Sequence, residues 1–319
     1  METQEVREKS SRKSTFRHTY QRVLKFLLTD IWHLDISELT AMKARMVRYL
    51  KVLILTVRGI STDKVGIQAN SLSYYSAMSV VPFAALSFAV TNGFGYGSRF
   101  RELIFEYFEG NELILNYLIK FSDNIISTLE NGIFGIFNFV ILISVLFFLV
   151  LNIEKSFNEI WKVGKPRSIH KRIAYYILFL LVAPLVLLIF LSLGLLYSNA
   201  LKTIGLEIDR YVPVSSFFTW LSFYAVVSLV FTIIYFLIPN TKVKFVAALN
   251  SALLVGIAFV VVQFLYLETQ LMVTGMNTVY GVFAAIPLFL IWINISWTII
   301  LFGAELSKAY QDVDNLIYD

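Results

Sequence analysis

Few residues in this chain are equipped for covalent chemistry. There is no cysteine, and the three histidines, His18, His33 and His170, are scattered among basic residues. Metal-assisted hydrolysis needs Asp, Glu and His gathered to hold a cation and position a water. No His-x-His or paired-Asp motif occurs, and the acids at the ends of apolar segments, Glu154, Glu159 and Glu305, stand apart. Gly93, Gly95 and Gly97 mimic a phosphate loop, but no strand leads into them and no Gly-Lys-Ser/Thr follows. They read as a flexible exit from an apolar segment. We expect no catalytic residue, no metal and no cofactor.

The chain offers instead neutral polar side chains inside apolar segments. Asn70, Ser71, Ser73, Tyr74, Tyr75, Ser76 and Ser79 fall within ten residues, followed by Pro82. Pro82 should kink a helix just past this polar half. Tyr224, Ser228 and Thr232 share one helical face, with Tyr235 close behind, and Asn294, Ser296 and Thr298 sit beside Trp292 and Trp297. One reading is hydrogen bonding between helices, at roughly 0.6 kcal/mol per bond in a bilayer. The other is a polar cavity open to the inner half of a membrane, lined by Asn70, Ser73, Tyr74, Ser228, Thr232, Tyr235 and Asn294. A second candidate site is charged: Glu154 and Glu305 close to Lys165 and Arg167 of the basic stretch 162–172. Those carboxylates pair with neighbouring cations, or the cations hold a lipid phosphate.

The elements that position these residues are six apolar stretches at about 67–91, 133–151, 173–197, 217–238, 245–267 and 279–303. At roughly 1.5 Å per residue, each can cross a hydrocarbon layer about 30 Å thick. Alternate connections carry 22 Lys and Arg against 5 in the other set. By the positive-inside rule this asymmetry places both termini in the cytoplasm. A 57% hydrophobic content and a mean hydropathy of +0.70 fit this arrangement. The expected fold is all-α, a polytopic bundle of six transmembrane helices with interfacial helices. Residues 1–66 form a basic segment, 67–305 the membrane domain and 306–319 a C-terminal tail. The basic balance belongs to topology and anionic headgroups at the inner leaflet, and no nucleic acid is expected as partner. No cleavable signal is expected in the polar first 19 residues.

Two amphipathic patterns precede the first span: Tyr20, Val23, Leu24, Leu27, Leu28 and Ile31, then Met46, Tyr49, Leu50, Leu53, Ile54 and Val57. With Lys and Arg opposite, each suits a helix in the headgroup layer or one packed beneath the bundle. The acidic connection after the first span carries a further apolar face through Ile114, Leu118, Phe121, Ile125 and Leu129.

Specific residues point to a family. Ala69-Asn70-Ser71-Leu72-Ser73-Tyr74-Tyr75 with Ser79 and Pro82, then Asn158-Glu159-Ile160-Trp161, then Tyr235 with Pro239-Asn240, occur in order. The last span adds Val279-Tyr280-Gly281, Ile286-Pro287, Trp292 and Gly303-Ala304-Glu305. Together they resemble the YihY/BrkB family of bacterial inner-membrane proteins, over about residues 66 to 310. The resemblance implies a multi-pass protein of the bacterial plasma membrane, in a family once labelled ribonuclease BN. Asn294 departs from the family, standing where an aromatic is common. The leading functional expectation is a transporter or lipid translocase for an amphipathic or anionic substrate. A non-transporting scaffold for envelope biogenesis is the alternative, and a hydrolase or nuclease ranks third. The expected partners are membrane lipids, with a homo-oligomer or an envelope-biogenesis protein besides.

Overall fold

The computed structural model describes residues 29–33, 39–107, 132–205, 214–274 and 278–318, with scattered positions between 116 and 127. All regular structure among them is helical. A 3-10 turn, Asp30–His33, precedes eight helices: α1 Ala41–Thr62, α2 Val65–Gly93, α3 Gly97–Tyr107, α4 Gly132–Ile160, α5 Ile169–Gly205, α6 Val214–Leu237, α7 Phe245–Thr274 and α8 Thr278–Tyr318. Six of them, α2 and α4 to α8, are long and apolar enough to cross a membrane. In hydrocarbon every backbone N–H and C=O must find its partner within the protein, and a continuous helix does this along its own axis. The chain is an all-α polytopic membrane bundle. α2 runs through Pro82 as one helix.

The helices meet in three apolar clusters. The largest lies at one end, where Phe157 and Ile160 of α4, Tyr235 of α6, Ala248 of α7 and Leu301 and Val313 of α8 are buried together with Leu72 of α2. A second joins Ala85, Leu146, Tyr176 and Leu180 across α2, α4 and α5. The third packs α3 on the opposite end through Phe88, Phe100, Leu103 and Leu188. Many large apolar side chains remain on the outside, among them Leu229, Ile233, Leu254, Ile257 and Ile291. On a soluble protein this would be an untenable surface; on a span it is the face that lipid covers.

Hydrogen bonds gather alternate helix ends at the end that holds the largest cluster. The Lys244 N–H donates to Gln311 Oε1 at 2.7 Å, and Gln311 Nε2 donates to the Lys242 carbonyl at 3.1 Å, tying the start of α7 to α8. The helix ends and connection there hold Lys155, Lys162, Lys165, Arg167, Lys171 and Arg172, so this is the basic end.

Two elements differ in form from their sequence reading. Residues 306–318 continue α8 as helix, with Leu306, Ala309, Tyr310 and Val313 buried, because an apolar stripe persists after the hydropathy has fallen. α1 packs on α8 with Val52 in the shared core and Lys51 and Thr56 buried, while Met42, Met46, Tyr49, Leu53 and Val57 face outward. Four of the six stripe residues therefore point away from the bundle, with Leu50 and Ile54 half-buried at its edge. The earlier amphipathic pattern, apart from Ile31, and the face running from Ile114 to Leu129 lie outside the described residues.

Candidate functional site

At the basic end the short α1–α2 turn sets the geometry. Lys64 adopts a left-handed conformation, φ 52°, and its carbonyl accepts the first N–H groups of α2 from Ile67 and Gln68. Gln68 Nε2 donates to the Asp63 carbonyl at 2.7 Å, closing the turn. These bonds fix Asp63 pointing inward, where its side chain is almost fully buried and the Lys162 ammonium donates to it. Lys162 is also left-handed, φ 51°, just past the end of α4.

Glu305 is 2% exposed, and its carboxyl lies in hydrogen-bonding contact with that of Asp63. The same carboxyl rests on the backbone of Gly59, where any Cβ would collide with it. Glycine at 59 is what lets α1 approach α8. Because α8 runs on to Tyr318, Glu305 does not stand at the end of its own helix, and the macrodipole cost expected there does not arise. Further along α1, Lys51 sits near the Trp32 ring, 5.9 Å from its centroid, and burial lowers the pKa of its ammonium.

Glu154, also 2% exposed, holds a separate network. It accepts from the Tyr176 hydroxyl, from Asn158 Nδ2 at 3.4 Å and from Arg172 Nη2 at 3.5 Å, with Arg167 Nη1 4.0 Å away. Arg167 donates to the Leu237 carbonyl at 2.8 Å and covers the Tyr175 ring at 4.9 Å. Asn158 Oδ1 accepts the Asn240 N–H at 2.8 Å, and Asn240 Nδ2 donates to the Lys165 carbonyl at 3.0 Å. The network laces α4, the basic connection and the end of α6 together, with Trp161 and Pro239 buried beside it. Lys165 contributes its backbone here rather than its charge.

Between these two networks opens a groove of about 800 Å³. Lys64, Lys155, Lys162 and Arg172 line it, with Ile67 and Leu151 as apolar wall and Asp63 and Glu159 as its acids.

The neutral polar band divides between two seams. On the first, between α2 and α8, Asn294 Nδ2 donates to Asn70 Oδ1 at 2.7 Å and to Ser73 Oγ at 3.3 Å. Trp297 Nε1 donates to Ser76 Oγ at 2.8 Å on the same seam. Asn70 is exposed and Tyr74 is 63% exposed, so this seam reaches the outer surface of the bundle. On the second, Ser228, Thr232 and Tyr235 of α6 are buried. Thr232 donates to the Ser228 carbonyl at 2.7 Å, and the Tyr235 hydroxyl packs against Gly303 of α8. The Gly303 carbonyl in turn accepts from Ser251 at 2.5 Å. The seven polar candidates thus fall on two separate seams, one that reaches the surface at Asn70 and Tyr74 with Ser73 buried and Asn294 half-buried behind them, and one that is buried throughout.

The family resemblance can now be tested against whole chains. A family model described as "Virulence factor BrkB" matches residues 56–316, from the middle of α1 to the end of α8. The chain belongs to the virulence factor BrkB family. Similar curated proteins are a UPF0761 membrane protein of Alcanivorax borkumensis, 30% identical over 80% of this chain and 59% of its own length, and one of Haemophilus influenzae, 28% identical over 81% and 94%. A third, of a Janthinobacterium strain, is 29% identical over 79% of this chain and 58% of its own length. The chain thus spans under two thirds of the Alcanivorax and Janthinobacterium relatives but nearly all of the Haemophilus one. No solved structure matches.

The BrkB match takes in both networks at the basic end, Gly59 and Asp63 included. Trp292 donates Nε1 to Gln263 Oε1 at 3.1 Å and stacks on Tyr266, which fixes α8 on α7. The side chains around Tyr280 and Gly281 lie outside the described residues. Sequence reasoning paired Glu154 with the basic stretch and missed four participants: Gly59, Asp63, Lys64 and Tyr176. The available signal was Asp63-Lys64 immediately before a span, a polar pair where a helix must turn into the membrane.

Proposed function

We propose that this BrkB-family protein carries an anionic amphiphile, a lipid above all, across the plasma membrane of a bacterial envelope, with both termini in the cytoplasm. The observation that carries this reading is the α2–α8 seam. Asn70, Ser71, Tyr74 and Thr298 are exposed on the outer surface of two membrane-spanning helices. Polar groups facing pure hydrocarbon cost about 1–3 kcal/mol each unless they find a partner. Asn70 has Asn294 as partner, and Ser71 and Thr298 donate to carbonyls of their own helices, whereas the Tyr74 hydroxyl has no hydrogen-bond partner among the described residues. A furrow that admits a headgroup or water supplies that partner, and the tails of the same lipid stay in the bilayer.

The test is reconstitution in liposomes and a bleaching assay on fluorescently labelled phospholipid. The parent protein is expected to expose inner-leaflet label to an outer-leaflet quencher. Asn70→Leu and Tyr74→Leu should reduce the rate by tenfold or more without lowering the melting temperature. Thr232→Val, on the buried seam, should change neither by much, since a hydrogen bond in lipid averages about 0.6 kcal/mol. Parent protein that moves no lipid at all would overturn the proposal.

A scaffold role is the second reading, favoured by the buried seam. Ser228, Thr232 and Tyr235 act there as helix packing rather than as a lining. A hydrolase is not proposed: Glu154 is engaged by Tyr176 and the arginines, and Glu305 by Asp63 and Gly59.

A further inference from the structure

We propose that the groove at the basic end is a binding site for the phosphate headgroup of an anionic phospholipid, held by Lys64, Lys155 and Arg172. The inference rests on the transport reading, for which it names the substrate class and the place of entry.

Three observations converge on the groove. The first is backbone conformation. Among the described residues, Lys64 and Lys162 are the non-glycine positions with positive φ, 52° and 51°. Both line the groove, though they come from different elements. A left-handed conformation costs an L-residue energy that glycine would not incur. Lysine at both positions places two ammonium groups at one opening despite that cost.

The second observation is charge allocation. Lys162 is committed to Asp63, and Arg172 is aimed by Glu154 on its buried side. Lys64 makes no ion pair with a described residue, and Lys155 is held only by Glu159 at 4.0 Å, with both side chains more than half exposed. Two cations with little compensation, beside an arginine fixed from behind, match a phosphate that is approached from several sides.

The third observation is the wall. Ile67, Leu151, Val163 and Pro166 give the groove an apolar side, and Ile67 and Leu151 belong to membrane-spanning helices. An inorganic anion has no use for that side, whereas the glycerol and upper acyl chain of a lipid do. The groove volume of about 800 Å³ lies within the usual range for small-molecule pockets, roughly 300–1,000 Å³. Ser71 and Tyr74 stand one and two turns beyond Ile67 on the same exposed face of α2. A headgroup leaving the groove would therefore meet the polar seam next.

The experiment measures binding apart from movement. Purified full-length protein in detergent is titrated with fluorescent phosphatidylglycerol and, separately, phosphatidylcholine, with inorganic phosphate as competitor. Phosphatidylglycerol should bind at least tenfold more tightly than phosphatidylcholine, and millimolar phosphate should displace little of it. Lys64→Gln and Lys155→Gln should each weaken binding by about fivefold, the effect of one basic residue at an anionic surface, and Lys64→Arg should restore it. Lys64→Gly is the discriminating variant. Relief of the left-handed strain should leave its melting temperature equal to or above that of the parent, while the affinity still falls.

Unchanged affinity in the glutamine variants would overturn the inference. Equal binding of the two lipids, or full displacement by phosphate, would do so as well, the latter identifying a site for the free ion. Selective binding with no lipid movement in liposomes would leave the site standing and remove the transport reading. Lipid movement without selective binding would do the reverse.

Discussion

Gly303 and Tyr235 are 68 positions apart, yet the tyrosine hydroxyl occupies the space a Cβ at 303 would need. The hydroxyl is buried and has no hydrogen-bond partner among the described residues. An orphaned buried hydroxyl is a net cost, so its removal should be harmless or favourable. Tyr235→Phe is accordingly expected to melt at or above the parent temperature. Gly303→Ala should destabilise by about 1–3 kcal/mol through overpacking, and adding Tyr235→Phe should recover part of that loss, since the colliding atom is then gone. Thermal unfolding of the two single variants and the double variant measures this; equal loss with and without the hydroxyl would place the clash elsewhere. Both residues belong to motifs visible in the sequence, but their contact was not legible. Glycine in a motif announces close approach without naming the neighbour. The same holds for Glu305. Its position near a span end suggested a cation partner; Lys308 and Lys162 are near enough to act on it, but the groups against its carboxyl are that of Asp63 in the α1–α2 turn and Gly59 in the last turn of α1.

At the scale of elements, the spans were legible because a helix in hydrocarbon must be apolar for its whole crossing, and hydropathy measures that directly. Helix ends were less so. α8 outlasts its hydropathy because Leu306, Ala309, Tyr310 and Val313 keep one stripe against the core while the other side turns polar. α1 presents the converse case. Its apolar stripe was evident, yet the bundle takes the other side, where Lys51, Val52, Thr56 and Gly59 meet α8 and its surroundings. Met46, Tyr49, Leu53 and Val57 of that stripe are left exposed, with Leu50 and Ile54 half-buried. Gly59→Leu tests this docking. The side chain would meet the buried Glu305 carboxyl and must displace it, so α1 should loosen from α8 while the six spans stay inserted. Limited proteolysis should then cut within α1 at least tenfold faster than in the parent, with the membrane domain intact. Glu305→Ala should partly restore protection to the smaller variant Gly59→Ala, because it removes the colliding oxygens. Parent-like proteolysis of Gly59→Leu would mean that α1 is held by Val52 and Thr56 alone.

For the whole molecule, the structure gathers the start of α2, the end of α4, the starts of α5 and α7, the end of α6 and the last turns of α8 at one end. Asn158–Asn240 and Lys244–Gln311 are the ties that hold them there. This end matches the alternation the charge count required, since 15 Lys and Arg among the described residues lie in α1 and at the helix ends and connections gathered there, from Lys43 to Lys308. Which side of the membrane the basic end faces is a matter of insertion, and positive residues in short connections are retained in the cytoplasm. The chain has no cysteine, so each introduced thiol reports on a single position without background. Cysteines at Lys165 and Asn315 should be shielded from an impermeant maleimide in intact cells and labelled once the membrane is opened. A cysteine at Glu109, between the first two spans, should be labelled from outside before lysis. The three positions check one another. Labelling of 165 alone would mean a misplaced second span, labelling of 315 alone an odd number of crossings, and labelling of both with 109 protected an inverted bundle. An inverted bundle would turn the lysine-lined groove to the outer leaflet and make the polar seam a path inward from that leaflet. The labelling pattern therefore fixes the leaflet from which the proposed anionic lipid would enter.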